Sequence, residues 1–184
     1  MKKIILTAFA GVSLLISGTP VFAELFSVSV GIPMSHTITG KTSSGAKTAE
    51  SDGVSGSFVH AKLPLIPVGL GIESYKTKVK DSSPLKIATM MFDIFYLLPI
   101  PIINLTLGVG VGSTELQCDW CADTYDKGTA NQWYASFGMP IIPLFDLHLS
   151  YRSVNTKIGI KPGSGGGEHD YSGNVMGLGI GFNF

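Results

Sequence analysis

The last eight residues of the chain, Gly177-Leu178-Gly179-Ile180-Gly181-Phe182-Asn183-Phe184, alternate between two kinds of side chain. Leu, Ile or Phe occupies every second position, and Gly or Asn fills the positions between. Successive side chains of a β-strand point to opposite faces of its sheet. The stretch therefore predicts a strand with one bulky apolar face and one face that is small or polar.

The same period of two recurs upstream, so that the sequence predicts eight strands of about ten residues each. The further segments are 26–34, 57–63, 68–76, 88–96, 103–112, 133–139 and 145–152. The longest apolar run, 87–107, contains Asp93 and is interrupted by Pro99 and Pro101. Proline removes a helical hydrogen-bond donor, and a charge at mid-membrane is costly, so this run is a poor membrane helix.

The predicted strands are joined alternately by short, apolar, proline-containing connections and by longer polar ones. The short connections span 64–67, 99–101 and 140–143, and the long ones span 35–53, 77–84, 118–131 and 157–170. A transmembrane barrel has short turns on the periplasmic side and longer loops outside the cell. The pattern predicts an all-β, eight-stranded antiparallel transmembrane barrel of the up-and-down type that displays four loops.

The first 23 residues have the features of a secretory signal peptide. Lys2 and Lys3 precede an apolar run, and Val21-Phe22-Ala23 forms a small-residue cleavage site. We expect cleavage after Ala23, which leaves 24–184 as one barrel domain; an uncleaved anchor is the alternative. Of 13 basic residues, 11 then face 13 acidic ones, which offers no basic footprint for nucleic acid.

The alternation, the loop pattern and the terminal aromatic residue resemble the small eight-stranded bacterial outer-membrane barrels of the OmpA, OmpX and OmpW type. The resemblance implies a Gram-negative outer membrane, surrounding lipid and a monomer. In that family the barrel-assembly machinery reads the last strand, so Phe182 and Phe184 are the expected assembly signal, with periplasmic chaperones as earlier partners. Trp133, Tyr96, Tyr151 and Phe184 are expected at the membrane interfaces.

Strand faces place a set of titratable side chains inside the barrel: His60, Lys62, Glu73, Asp93, Asp146, His148 and Arg152. Buried charges are costly unless they are paired, and both signs are present. We therefore expect a charge network that fills the lumen, in which Lys62 and Glu73 pair across the turn at 64–67. A path for protons or solutes is the alternative, and the many glycines facing the lumen favour some free space.

Cys118 and Cys121 lie in a predicted outside loop, beyond a periplasm that permits disulfides. We expect a local disulfide that pins the loop tip and, because its ring is small, contributes little stability. Two ligands alone do not make a zinc site, and no metal or cofactor is expected.

Asp146, His148 and Ser150 alternate along one strand face, which raises the question of catalysis. The His-x-Ser spacing is similar to that of the PagL-type lipid A deacylases, but Tyr151 follows where that family has Asn. Residues two apart on a strand are separated by about 6–7 Å, too far for a nucleophile and its base. No catalytic residue is therefore expected.

The sequence thus predicts a non-enzymatic outer-membrane barrel whose loops serve surface interaction or envelope integrity. A narrow, porin-like conduit for small or apolar solutes is the alternative from a different class. A lipid A-modifying barrel enzyme is the third hypothesis.

Overall fold

A computed structural model describes most of the chain from Phe26 onwards. The described residues are 26–41, 49–63, 66–80, 82, 84–98, 100, 103–142 and 144–183. The signal peptide with Ala23 and the terminal Phe184 lie outside them. Within this part of the chain, no helix has the length and apolar character needed to cross a membrane.

Strands account for most of the described residues. They are β1 Ser27–Ile38, β2 Ser51–Lys62, β3 Val68–Val79, β4 Lys86–Leu98, β5 Asn104–Gln117, β6 Gly128–Ile142, β7 Phe145–Gly159, β8 Glu168–Asp170 and β9 Gly173–Asn183. A short helix, α1 Cys121–Thr124, follows β5, and a 3-10 turn, Pro162–Ser164, precedes β8.

The long strands form a closed antiparallel ring. Neighbours in sequence pair from β1 to β7, and β9 pairs with both β7 and β1. The three-residue β8 pairs with β7 alone and lies outside the ring, which leaves eight strands in the barrel. The predicted fold class is confirmed, and the closed ring has no unpaired edge, as a membrane requires.

The outward face of the ring carries a continuous band of apolar side chains, which we call the belt. It comprises Val30, Ile32, Met34, Val59, Leu70, Ile72, Met90, Phe92, Ile94, Tyr96, Leu107, Val109, Val111, Trp133, Phe137, Met139, Leu147, Leu149, Tyr151, Met176, Leu178 and Ile180, all of them exposed. Such a surface is far larger than a soluble protein exposes, so its solvent is lipid. Trp133 and Tyr151 lie together at the loop-side edge of the belt, with ring centroids 5.8 Å apart.

Every strand rises beyond the belt at the loop end, and we call this part of the barrel the outer extension. There β1 continues to Ile38, β2 already begins at Ser51 and β7 continues to Gly159. The loops predicted at 35–53 and 157–170 are therefore shorter in the structure than expected. The period of two persists, but polar side chains now face outwards and apolar ones inwards, because water surrounds this part of the wall.

The interior of the outer extension is an apolar cluster, the outer core. Its buried members are Ile38, Val79, Ile87, Leu116, Cys121, Ile158 and Tyr171. The α1 segment contributes Cys121, which forms the predicted disulfide with Cys118. Burial raises the pKa of Tyr171 to about 12, so this side chain stays neutral within the outer core. The outer core closes the barrel at its loop end.

The turn between β6 and β7 is shorter than predicted. β6 continues to Ile142, so Pro140 belongs to the strand, where it pairs with Asp146 at a register shift. A proline is tolerated at such an irregularity because one ladder hydrogen bond is already interrupted. Leu144, just before β7, has a left-handed backbone with φ 77°. The chain therefore reverses between Ile142 and Phe145 rather than across all of 140–143.

Candidate functional site in the barrel lumen

An ion pair spans the lumen between Arg152 on β7 and Glu73 on β3. The Arg152 Nη2 atom lies 2.8 Å from Glu73 Oε1, and Arg152 Nε donates to both carboxylate oxygens at 2.8 Å. In the closed ring, β3 and β7 are separated by four strand-to-strand steps in either direction. The pair therefore bridges opposite walls of the barrel, and both side chains are fully buried.

Side chains from three further strands complete this layer. Gln132 Nε2 on β6 donates to Glu73 Oε2 at 3.0 Å and to Asp93 Oδ1 at 2.7 Å. His60 Nε2 on β2 lies 3.2 Å from Glu73 Oε1 and 3.9 Å from Asp93 Oδ2 on β4. We call His60, Glu73, Asp93, Gln132 and Arg152 the charge layer. It ties five of the eight strands together across the lumen.

Aromatic rings and a hydroxyl hold the Arg152 side chain in place. Its guanidinium carbon lies 3.6 Å from the ring centroid of Phe58 and 5.3 Å from that of Tyr134. Nη1 donates to Ser150 Oγ at 2.5 Å. A desolvated cation over an aromatic face is stabilised by the ring quadrupole. These contacts leave the guanidinium little freedom to swing aside.

The remaining charged residues of the predicted network lie nearer the short turns. Lys62, Asp146 and His148 line a small cavity at that end of the lumen. Asp146 Oδ2 accepts hydrogen bonds from the Nδ2 atoms of Asn104 and Asn183. The seven predicted residues thus all face the lumen. His60 belongs to the charge layer and also lines the cavity that Lys62, Asp146 and His148 share.

The predicted pairing of Lys62 with Glu73 is wrong. Lys62 is paired with Gly69, whereas Glu73 is paired with Phe58, four residues further along β2. Residues equally distant from the turn at 64–67 face each other, and Glu73 lies much further from that turn than Lys62 does. The offset along the strand is about 13 Å, beyond the reach of a direct ion pair. Glu73 meets Arg152 instead.

Three partners in this layer were not expected from the sequence, namely Gln132, Phe58 and Tyr134. Gln132 directly precedes a predicted strand, and extending the period of two by one residue would have shown it facing inwards. Phe58 and Tyr134 occupy inward positions of predicted strands. The expected lumen network contained only His, Lys, Arg, Asp and Glu, so these two aromatic residues were not part of it.

Asp146, His148 and Ser150, which were considered above as a catalytic group, are not joined by the hydrogen bonds of Asp146 and Ser150. Asp146 is bonded to the two asparagines, while Ser150 Oγ accepts a hydrogen bond from Arg152 and donates one to Gly177 O at 3.2 Å. The acid and the hydroxyl therefore each bond partners other than His148.

One group in the described chain has the composition of a metal site. Ligand atoms of His60, Glu73 and Asp93 lie within 4.8 Å of one another. Arg152 already contacts both oxygens of Glu73, so a bound cation would share that carboxylate with a guanidinium. The arrangement can stabilise the fold electrostatically, and a cation there would face a repelling charge.

Several lumen glycines provide room for large side chains of neighbouring strands. A Cβ added to Gly69 would overlap the ring of Phe95, one on Gly108 would overlap Tyr134, and one on Gly71 would overlap His60. Two cavities next to His60 and His148 have volumes of about 30 Å³ each. Each holds no more than a few water molecules. At these glycines, neighbouring side chains occupy the space that a larger residue would need.

No family model and no curated protein matches the chain. Several solved structures do match it. Neisserial surface protein A has 11% identity and a TM-score of 0.59, over 86% of this chain and 97% of that one. Outer membrane protein AlkL has 10% identity and a TM-score of 0.56, over 91% and 94%. Outer membrane protein W of E. coli has 10% identity and a TM-score of 0.51, over 85% and 97%.

This similarity is one of fold, and it agrees with the belt. A closed β-ladder with an apolar outer band is stable in a bilayer and would aggregate in water. The chain is a small integral barrel of the bacterial outer-membrane type, and the outer membrane is its location. The terminal-strand assembly signal stays a prediction; Phe182 packs against Phe145, with ring centroids 4.8 Å apart.

Proposed function

We propose that this protein is a non-enzymatic, non-conducting outer-membrane scaffold that displays its loops outside the cell. The observation that carries the proposal is the ion pair between Arg152 and Glu73, which bridges opposite walls of the lumen. A solute would have to displace a buried, paired and stacked arginine to pass. Leaving one partner of such a pair uncompensated costs several kcal/mol, which makes thermal opening rare.

Two further layers support a closed lumen. The outer core seals the loop end with packed apolar side chains, including Ile158, Val79 and Leu116. Between it and the charge layer, Phe58, Tyr75, Val154 and Val175 form a second buried cluster. Eight strands enclose a space that side chains alone can fill. The described lumen is filled in this way over most of its length.

The outside surface offers features suited to recognition. Next to the disulfide, an open cleft of about 370 Å³ is lined by residues that include Gln117, Ala122, Tyr125 and Lys127. Trp120, at the tip of the same loop, is 54% exposed. An exposed tryptophan beside a cleft is a common anchor in protein interfaces. These features support a role in surface interaction.

A planar-bilayer recording on the refolded, full-length barrel tests the proposal. We expect no stepwise conductance above the bare-bilayer background, with insertion verified by protease protection of barrels in vesicles of the same lipid. A variant that removes large side chains from all three layers, Arg152→Ala, Phe58→Ala and Ile158→Ala, serves as the matched control and should conduct more than wild type. Stable conductance steps that persist after the wild-type protein has been purified again would overturn the closed-lumen proposal.

The non-enzymatic part has its own test. Purified barrel in mixed micelles is incubated with lipid A, and the lipid is then analysed by mass spectrometry for loss of an acyl chain. We expect no change relative to a His148→Gln, Ser150→Ala variant. Turnover in wild type that this double variant lacks would contradict the proposal.

A further inference from the structure

Three exposed lysines cluster on one side of the outer wall. Lys76 and Lys78 face outwards from β3, and Lys86 faces outwards from β4. The strand register places Lys78 directly opposite Lys86. Directly opposed side chains on antiparallel strands have Cβ atoms about 5 Å apart, and Lys76 is about 7 Å further along its strand. We call these three residues the lysine patch.

The lysine patch is electrostatically unsatisfied by the described protein. Within the described residues, no carboxylate lies within 4.0 Å of any of its three ammonium groups, whereas Lys80, Lys127 and Lys157 each lie within 4.0 Å of a glutamate. Glu115, on the strand next to Lys86, accepts a hydrogen bond from Gln117 and lies 3.9 Å from Lys127. Like charges directly opposite each other destabilise a sheet. An external anion would remove this penalty.

The height of the lysine patch on the barrel indicates where that anion comes from. Along β3 the outward residues run from Ile72 in the belt through Ser74 to Lys76, and Ser74 is paired with Met90, the last belt residue of β4. Lys76 therefore lies about 7 Å along the strand beyond the belt, and Lys78 lies about 13 Å beyond it. This is the long-loop end, which faces the outer leaflet.

The patch is confined to one side of the barrel. At the corresponding height the outward residues of β1, β6 and β7 are uncharged, as with Thr37, Asn131 and Asn155. A general attraction to an anionic membrane surface would need no such clustering. Localised charge directly above a localised apolar surface matches an amphipathic ligand with its phosphate at one end.

We propose that Lys76, Lys78 and Lys86 bind the phosphate groups of a phosphorylated glycolipid in the outer leaflet. The acyl chains of this lipid lie against Ile72, Met90 and Phe92 of the belt, directly below. Flexible lysine stems allow all three ammonium groups to reach one phosphate or two neighbouring ones. A free phosphate ion would meet the lysines but gain nothing from the belt.

A binding titration on the refolded full-length barrel in neutral detergent tests the proposal. The probes are diphosphorylated lipid A, the same lipid after dephosphorylation, and inorganic phosphate. The patch variant carries Lys76→Gln, Lys78→Gln and Lys86→Gln. The control carries Lys127→Gln, Lys157→Gln and Lys161→Gln, which changes net charge equally at other outside positions.

We expect wild type to bind diphosphorylated lipid A saturably, and the patch variant to bind it roughly 100-fold more weakly, since each lysine near an anionic surface contributes about fivefold. The control should change less than about threefold, and both dephosphorylated lipid and inorganic phosphate should bind far more weakly. Equal loss in patch and control variants would overturn the proposal. So would undiminished binding of the dephosphorylated lipid.

A stability measurement on a single substitution gives a second readout. It does not depend on whether the triple variant folds well. In neutral detergent without lipid A, Lys78→Gln removes repulsion from Lys86 and should lower the unfolding equilibrium constant about twofold. With saturating diphosphorylated lipid A, the same substitution should raise that constant relative to wild type. An effect of the same sign in both conditions contradicts a phosphate site at these lysines.

Discussion

The belt and the outer extension are built from the same strands with opposite polarity. On β3, Ile72 faces out and Glu73 faces in at belt level, while Lys78 faces out and Val79 faces in a few residues later. The backbone ladder and the period of two do not change between them. What changes is the surrounding solvent, which is lipid around the belt and water around the extension.

The belt and the outer extension therefore place their apolar side chains by different rules. In the belt, lipid accepts the apolar side chains, so the lumen is left for polar groups that must satisfy one another in the charge layer. In the outer extension, water accepts the polar side chains, so the lumen fills like the core of a small soluble barrel. The charge layer lies close to the level where the two regions meet.

The largest expected effect comes from the charge layer. Glu73→Ala leaves Arg152 buried without its partner and should destabilise the barrel by about 3–5 kcal/mol, measured by urea unfolding in vesicles. Combining it with Arg152→Met should recover part of the loss. Glu115→Ala, at an exposed glutamate 3.9 Å from Lys127, is the control and should change stability by less than about 1 kcal/mol. Purely additive effects of the two lumen substitutions would show that no coupled pair exists.

The outer core should respond like the interior of a soluble protein. Ile158 is 0% exposed and Ile94 in the belt is 57% exposed. Ile158→Ala should cost about 3–4 kcal/mol because it leaves a cavity, whereas lipid fills the space left by Ile94→Ala, which should cost about 1–2 kcal/mol. The measurement is the same urea unfolding. Equal costs would mean that the two regions are packed alike.

A lysine substituted on the outward face of the barrel should distinguish the belt from the outer extension. Ile94→Lys puts a charge in the middle of the belt and should cost about 2–4 kcal/mol in vesicles. Asn155→Lys puts the same charge on the outward face of the extension and should change stability by about 0.5 kcal/mol or less. A large cost at position 155 would place that residue in lipid and shift the boundary of the belt.

The smallest effect concerns the disulfide that caps the outer core. Cys121 is 1% exposed within that core, whereas a surface loop tip was expected from the sequence. Replacing both cysteines by alanine should cost about 1 kcal/mol, and replacing both by serine about 2 kcal/mol, because serine buries a hydroxyl. Thermal unfolding of the two double variants compares them directly. If the serine and alanine variants unfold at the same temperature, Cys121 is not part of an apolar core.

Local pattern predicted the fold well because the determinants are local. The alternation in 26–34, 103–112 and 145–152 identifies the strands, and the inward faces of His60, Asp93 and Arg152 follow from counting. The ends of the strands were missed because polar residues such as Lys78 and Asn155 suggest loop when only an apolar outside is expected. The outer core residue Ile158 was therefore assigned to a loop.

The eight-stranded barrel, its lipid-facing side and the set of charges in its lumen can be predicted from the sequence, since each depends on a repeat of two residues. Which of these charges meet depends on how the folded strands are arranged. Arg152 and Glu73 are 79 positions apart and face each other across the ring, so their contact depends on closure and stagger. Likewise, the space beside Gly108 is filled by Tyr134 of the neighbouring strand, and this depends on which residues lie next to each other in the folded barrel.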